Sequence, residues 1–327
     1  MDYREVINKA IAASRINTKY DIELVKDFAR IIRDSKNLFT SAEDIDIKNN
    51  NGFHLDFAAI ERILTRYETV NPLIKSEKVV NKKDNLLASN VYEKIGIVLV
   101  LFDGNPYVLL EMIILGLLTH NTMIFSYNGY MRGTNGFILT LVQSILEKED
   151  IDQNVIQLVE TMNNEEFFKN FKTINKTFII GDNMYINNYL KECSTLVQVS
   201  GYNNYDLYIE NLEHKDVIDK ILEQDLNINV YINSDLDFDM EDAIVVSDID
   251  EAISYINYNS SLYSSAIFTK NQENAAKFMK EVNSKNVMVN ASPTLEQALD
   301  IKEEDLLRRK NLVMPNIYKL DGKRIEV

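Results

Sequence analysis

The sequence predicts an α/β protein built on parallel sheets. Three observations carry that reading: amphipathic helical stripes in the first third, short continuous apolar runs from residue 95 onward, and regular alternation of those runs with helical segments. Residues 20–36 put Ile22, Val25, Phe28, Ala29 and Ile32 on one stripe, and residues 55–70 do the same with Phe57, Ile60, Ile63 and Leu64. Residues 75–84 read as a charged connection. The period then changes. Residues 95–102 are a continuous apolar run of strand length, Pro106 opens a helix to residue 118, and residues 122–125 are a further short strand. Residues 137–148 read as helix, 155–159 as strand, 165–171 as a short helix, 177–180 as strand and 185–193 as helix.

A second unit is expected from about residue 197. Residues 207–209, 230–232, 243–246, 265–269 and 287–289 read as strands, with helices at 215–224, 249–256 and 272–282 between them. The tail from Ser292 reads as helical and charged, with a last strand candidate at 317–320.

Composition narrows the classes of function. A hydrophobic fraction of 46% and a charged fraction of 26% over 327 residues are those of a chain that folds, with room for two or three domains. A net charge of -15 repels phosphate backbones and anionic lipid, and no basic cluster offsets it, so nucleic acid and membrane surfaces are not expected partners. The apolar stretch 95–118 is interrupted by Asp103, Gly104, Asn105, Pro106 and Glu111. A membrane-spanning helix needs about 20 mostly apolar residues without such breaks. One cysteine excludes an internal disulfide and suits a reducing compartment, and the start lacks the apolar block of a signal peptide, so a cytoplasmic location is expected.

The motifs that carry chemistry are few. The chain has no Gly-x-x-x-x-Gly-Lys-Ser/Thr loop, no Gly-x-Gly-x-x-Gly after a strand and no Gly-x-Ser-x-Gly elbow. His54, His120 and His214 are isolated from one another and from Cys193, and no metal site is predicted. Residues 235–242 mimic the start of a calcium loop but lack its glycine, and Val246 stands where the bidentate Glu belongs, so a solvated acidic turn is expected. Residues 129–136 follow a strand and precede the helix expected at Phe137. Gly129, Gly133 and Gly136 would let backbone amides approach a phosphate, with Arg132 as the cation for a 2′-phosphate. Gly181 offers the same at the next strand-to-helix junction; a tight surface loop is the competing reading of both.

Read in order, several segments resemble one enzyme family. Ala10-Ile11-Ala12-Ala13-Ser14-Arg15 resembles its opening helix, and residues 92–101 with Asn105-Pro106-Tyr107-Val108 resemble its strand and Arg-Pro-Asn-Val turn. His120-Asn121-Thr122-Met123-Ile124-Phe125 is similar to its Gly-Asn-Ala-Val-Ile-Leu, and Ile156-Gln157-Leu158-Val159-Glu160-Thr161 to its Val-Gln-Leu-Val-Asp-Thr. Val246-Ser247-Asp248-Ile249-Asp250-Glu251-Ala252-Ile253 resembles a late helix start, and Val287-Met288-Val289-Asn290-Ala291-Ser292 its Val-x-Val-Asn-Ala-Ser. The family is glutamate-5-semialdehyde dehydrogenase (γ-glutamyl phosphate reductase) of the aldehyde dehydrogenase superfamily.

The resemblance implies an aldehyde-dehydrogenase-like fold, with a Rossmann-type domain over 1–200, a reduced catalytic-like domain over 201–291 and a divergent tail over 292–327 that could supply an oligomerisation strand. It implies NADP or NAD as cofactor and a homo-oligomer, such as a dimer, or pairing with an active paralogue. The departures fall on the chemistry. The family's nucleophile is a Cys thiolate in a loop between a helix and the next strand of the second domain. Here only residues 225–229 join the two, without a Cys, Ser or Thr, and Cys193 matches a position that is not the nucleophile. Tyr107 stands for the oxyanion-site Asn, Ser126 for a basic residue, and residues 293–298 replace a Gly-rich segment. No catalytic residue is therefore assigned. Two functions stand: a non-catalytic binding, regulatory or structural member, or an NAD(P)-dependent oxidoreductase on an aldehyde or acyl phosphate whose missing groups come from elsewhere.

Overall fold

The structure is a computed structural model and describes residues 3–16, 22–74, 77–83, 86–161, 165–169, 172–193, 195–201, 205–223, 228–238, 240, 242–260, 262–295, 299 and 301–315. Four helices come first: α1 (Tyr3–Arg15), α2 (Ile22–Asp34), α3 (Lys36–Lys48) and α4 (Phe57–Glu68). A hairpin follows, β1 (Glu77–Lys83) and β2 (Leu86–Lys94). Then strands and helices alternate: β3 (Ile97–Phe102), α5 (Pro106–Leu118), β4 (Thr122–Tyr127), α6 (Arg132–Lys148), β5 (Ile156–Glu160), α7 (Glu165–Phe168), β6 (Lys176–Gly181), α8 (Asn183–Leu190) and β7 (Val197–Gly201). The chain continues with β8 (Tyr205–Ile209), α9 (Lys215–Leu222), β9 (Ile228–Asn233), β10 (Ile244–Val246), α10 (Ile249–Asn259), β11 (Ser264–Phe268), α11 (Gln272–Glu281), β12 (Asn286–Val289) and β13 (Leu307–Pro315).

Three sheets result, ordered β5-β4-β3-β6-β7, β10-β9-β8-β11-β12 and β1-β2-β13. The pairs β3/β4 and β4/β5 are parallel, as are all pairs of the second sheet, which is the parallel α/β architecture the alternation predicts. The third sheet is antiparallel. Two compact units divide the chain: Met1–Thr177, Ser194–Leu196 and Ile301–Val327 form one, Phe178–Cys193 and Val197–Asp300 the other. No helix of the described residues is long and apolar enough to cross a membrane.

In the first unit β3 and β4 are buried along their whole length, which is why they read as continuous apolar runs rather than alternating ones. The helix α5 between them is capped by Asn105, whose Oδ1 accepts from the Tyr107 amide at 3.0 Å, with Pro106 at the first helical position. Its one charged residue, Glu111, is 1% exposed. Arg66 Nη1 and the Tyr67 hydroxyl of α4 each reach Glu111 Oε1 at 2.8 Å, so α4 docks on α5 through an ion pair whose carboxylate is buried and whose guanidinium reaches the surface. Burial and the adjacent carboxylate push the Tyr67 hydroxyl well above its ordinary pKa.

The second unit buries a carboxylate too, with no basic partner among the described residues. Asp206 of β8 is 0% exposed and accepts from the Ser260 hydroxyl, from Ser265 Oγ at 3.1 Å and from Asn229 Nδ2 at 3.1 Å. Burial raises its pKa against the pull of those donors.

The sequence reading needs four corrections. Helix α3 was not expected, and β1 occupies most of the supposed charged connection at 75–84, with β2 following it. The tail holds two short 3-10 turns and β13 in place of helix, with β13 paired along β2 from Leu307↔Lys94 to Pro315↔Leu86. Helix α6 begins at Arg132 rather than Phe137, so Gly133 and Gly136 lie in a helix and not a loop. Helix α8 runs from Asn183 to Leu190, starting two residues before and ending three residues short of the expected 185–193. The strand candidate 317–320 and most of the connection 225–229 lie outside the described residues.

Two outcomes follow from the buried carboxylates. Arg66→Ala leaves the buried Glu111 carboxylate with the Tyr67 hydroxyl but without its cation and should cost about 1–2 kcal/mol in urea unfolding, the surface exposure of Arg66 keeping it below the cost of breaking a fully buried pair, with Glu111→Gln in the same chain recovering most of it. For Asp206 the folded pKa lies above the unfolded one, so its contribution to stability is full below the unfolded value and is lost as pH rises through the folded value. The stability of the wild-type protein relative to Asp206→Asn should therefore fall as the pH of the denaturation series is raised through that interval.

Candidate functional site

The best-defined polar arrangement of the first unit lies where the carboxyl ends of β3 and β4 meet the start of α6. Met131 caps α6 in the left-handed conformation, φ 51°, and supplies no side-chain hydrogen bond to the helix. The cap comes from α3 instead. Asp46, 3% exposed, takes the Gly133 amide on Oδ1 at 2.7 Å and both the Thr134 amide and hydroxyl on Oδ2 at 2.9 Å. A carboxylate is well placed there, because the first amides of a helix lack intrahelical acceptors and carry the positive end of its dipole.

The α3–α4 turn is held on the same strand ends. Asn51 gives its Nδ2 to the Gly129 carbonyl at 2.8 Å, and its own carbonyl accepts from the Met131 amide at 3.1 Å. Gly52 passes so close that an added Cβ would stand 2.5 Å from Met131 Sδ and 2.7 Å from Asp46 Cβ. The Phe53 ring lies 6.2 Å from Tyr107 and 6.3 Å from Tyr130. Glu43 Oε2 accepts from the Leu55 amide at 2.8 Å, and the Tyr107 hydroxyl accepts from the Asp56 amide at 2.6 Å. Burial pushes the Tyr107 hydroxyl above its ordinary pKa, so it stays protonated. Beneath the turn, the fully buried Asn135 donates from Nδ2 to the Gly104 carbonyl at 2.6 Å and the Tyr130 carbonyl at 3.0 Å, while its Oδ1 has no partner among the described residues.

The residues singled out in the sequence fall around this arrangement. Gly129 has φ +88° and lies so near Glu160 that a Cβ would meet Oε1 at 2.8 Å, which accounts for a glycine there. Arg132 is 73% exposed and its Nε sits 3.0 Å from Glu160 Oε2. Gly133 lends its amide to Asp46, and Gly136 faces open space on α6. Gly181 belongs to the other unit, where Asp182 caps α8 by accepting from the Tyr185 amide at 2.7 Å. His54 Nδ1 is 3.5 Å from Glu43 Oε1, His120 lies in the turn after α5, and His214 precedes α9, so the fold does not gather the histidines. Ser126 is buried in β4, and Cys193 is half-buried past the end of α8. Among the described residues no three His, Cys, Asp or Glu side chains are placed to hold a metal; Asp239 and Glu241 of the acidic turn lie outside them. Asp46, Asn51 and Asn135 carried no motif, and only the Asn-Asn-Asn-Gly run at 49–52 marks a turn.

No protein-family model matches the chain. The glyceraldehyde-3-phosphate dehydrogenase of Methanocaldococcus jannaschii, solved with NADP, superposes with a TM-score of 0.73 at 13% identity over 95% of this chain and 94% of that one. The γ-glutamyl phosphate reductase of Thermotoga maritima gives 0.66 at 17% identity over 96% and 98%. The fold is that of the aldehyde dehydrogenases. Within this aldehyde dehydrogenase fold the sequence is similar to γ-glutamyl phosphate reductases. That of Dictyoglomus thermophilum is 22% identical over 85% of this chain and 84% of its own length.

A helix start with free amides is a ready-made site for a dinucleotide's phosphate. The residues of this aldehyde dehydrogenase fold at α6 do not fit one, because Asp46 holds both amides and a second anion beside its carboxylate would be repelled.

Asp46→Ala removes the cap of α6 and should lower stability by about 1–2 kcal/mol in thermal or urea unfolding, while Asp46→Asn, which keeps one acceptor, should lose less.

Proposed function

We propose that this chain is an aldehyde-dehydrogenase-fold protein of γ-glutamyl phosphate reductase type that works without thiol chemistry, as a binding, regulatory or structural protein. The observation that carries the reading is the position of the only thiol. Covalent catalysis needs a thiolate about 3–3.5 Å from the carbonyl, activated by a base or cation and set beside an oxyanion donor. Cys193 is half-buried after α8, and the Tyr107 hydroxyl, in place of the expected oxyanion Asn, is engaged by the Asp56 backbone. In this role the chain assembles with a second copy of itself or with an active relative, in the reducing cytoplasm.

The second reading is an NAD(P)-dependent oxidoreductase on an aldehyde or acyl phosphate, the semialdehyde step of proline biosynthesis. It is favoured by similarity to reductases spread over 85% of the chain rather than confined to one segment. It requires a nucleophile from another chain, since a reactive thiolate is absent from the place the family uses.

The purified protein should show no NADP- or NAD-dependent oxidation of glutamate semialdehyde in phosphate, and Cys193 should react slowly with thiol reagents. Robust turnover by the chain alone, abolished in Cys193→Ser, is the result that overturns the non-catalytic reading.

A further inference from the structure

The sheet of the second unit ends on one side at β10, and among the described residues no strand pairs with its outer edge. The Val246 carbonyl accepts from the Ser234 amide at 2.8 Å, on the β9 side. Main-chain groups alternate sides along a strand, so the Val245 amide and carbonyl point to the open edge. Ile244 is 39% exposed and Val245 65%.

The two faces beside that edge differ in chemistry. Ile244 pairs with Tyr231, whose ring lies 6.4 Å from Tyr255 of α10, and Tyr258, one turn further along α10, is 87% exposed. This face is apolar and aromatic. Val245 pairs with Ile232 on the opposite face, where Leu236, Phe238, Met240 and Ala243 of the β9–β10 loop pack against the core. From residue 235 to 241 that loop alternates acids with apolar residues. Asp235, Asp237 and Asp242 are exposed and make no ion pair among the described residues. Lys215, 4.9 Å over the Phe238 ring, is 3.5 Å from Asp219, and Asp250 is paired with Lys277 at 2.5 Å. Residues 221–269 hold ten Asp or Glu and no Lys, Arg or His, so this stretch carries -10 of the chain's net -15.

We infer that the β10 edge docks a cationic, extended segment of a partner protein as an added strand. Its apolar side chains lie on Ile244, Tyr255 and Tyr258, and its Lys or Arg side chains lie beside the acidic loop. In strand addition the main-chain bonds give affinity and the alternating side chains give selectivity. Charge decides the occupant. A second copy meeting β10 with β10 brings like charge against like charge, and an acidic strand is repelled by the loop, whereas a basic one is drawn to it. The inference involves neither Cys193 nor Tyr107, so it and the non-catalytic reading can fail separately.

The test is a calorimetric titration of the full chain with a short capped peptide alternating Lys and Val, with its Glu-Val counterpart, and with the Lys-Val peptide carrying a central Pro. Exchange of the Val245 amide is followed in the same samples. The Lys-Val peptide should bind saturably and slow that exchange, and the other two should do neither. Val245→Pro removes an outward amide and leaves the β9 ladder intact, so it should abolish binding. Asp235→Asn, Asp237→Asn and Asp242→Asn together should weaken binding about tenfold, the combined effect of three exposed charge contacts. Raising salt from about 0.05 to about 0.5 M should weaken it in the same direction. Should Val245→Pro fail to fold by circular dichroism, the triple variant carries the comparison. Absence of binding by the Lys-Val peptide, equal binding of the Glu-Val peptide, or binding that leaves Val245 exchange unchanged overturns the inference. Self-association of the free chain that already protects Val245 makes a second copy the occupant and overturns it as well.

Discussion

The contact of Asp46 with the first amides of α6 organises the first unit. Helix α6 starts on a left-handed Met131 with no local cap, so its register relies on an acceptor supplied by a residue 87 positions earlier in the chain than Gly133. The same carboxylate fixes α3 against α6, α3 in turn positions Glu43 to receive the Leu55 amide, and the intervening turn is pinned between them. One cap of this kind contributes only about 1–2 kcal/mol. Its structural reach exceeds its energy, since the turn, the Tyr107 hydroxyl and the strand ends are all referred to it.

Much of the fold was legible because burial on both faces leaves a plain mark. β3, α5 and β4 read correctly from uninterrupted apolar runs and a proline, and the alternation after residue 122 marked the parallel sheets. What escaped is what non-local pairing decides. Residues 302–311 carry charges at helical spacing, yet β13 forms because β2 lies alongside it. The glycines at 133 and 136 look like loop residues until a distant acid caps the helix that contains them. Asp46 itself sits in α3, whose exposed Leu38 and Ile45 blur the apolar stripe that would have revealed the helix.

The two units handle a buried carboxylate in opposite ways. Glu111 is neutralised by Arg66, which keeps the ion pair at the edge of solvent and lets it lock two helices. Asp206 has hydroxyls and an amide, so its burial is offset by hydrogen bonds alone and remains a liability as pH rises. The candidate site resembles neither, because Asp46 meets neutral backbone donors and owes its stability to the orientation of a helix. The apolar runs build the sheets, while at the strand ends Asp46, Asn51 and Tyr107 bond to other parts of the same chain.

The small sheet of β1, β2 and β13 joins residues 77–94 to residues 307–315. A hairpin of two strands is marginal by itself in water. During synthesis β2 therefore keeps an unsatisfied edge until more than two hundred further residues have left the ribosome, and pairing must then close a very long loop. The parallel sheets can form before that moment, so maturation ends with a zipper of main-chain bonds between the earliest strands and the last described one. For as long as it waits, that open edge is the place where a nascent chain can pair with a neighbour instead of with itself.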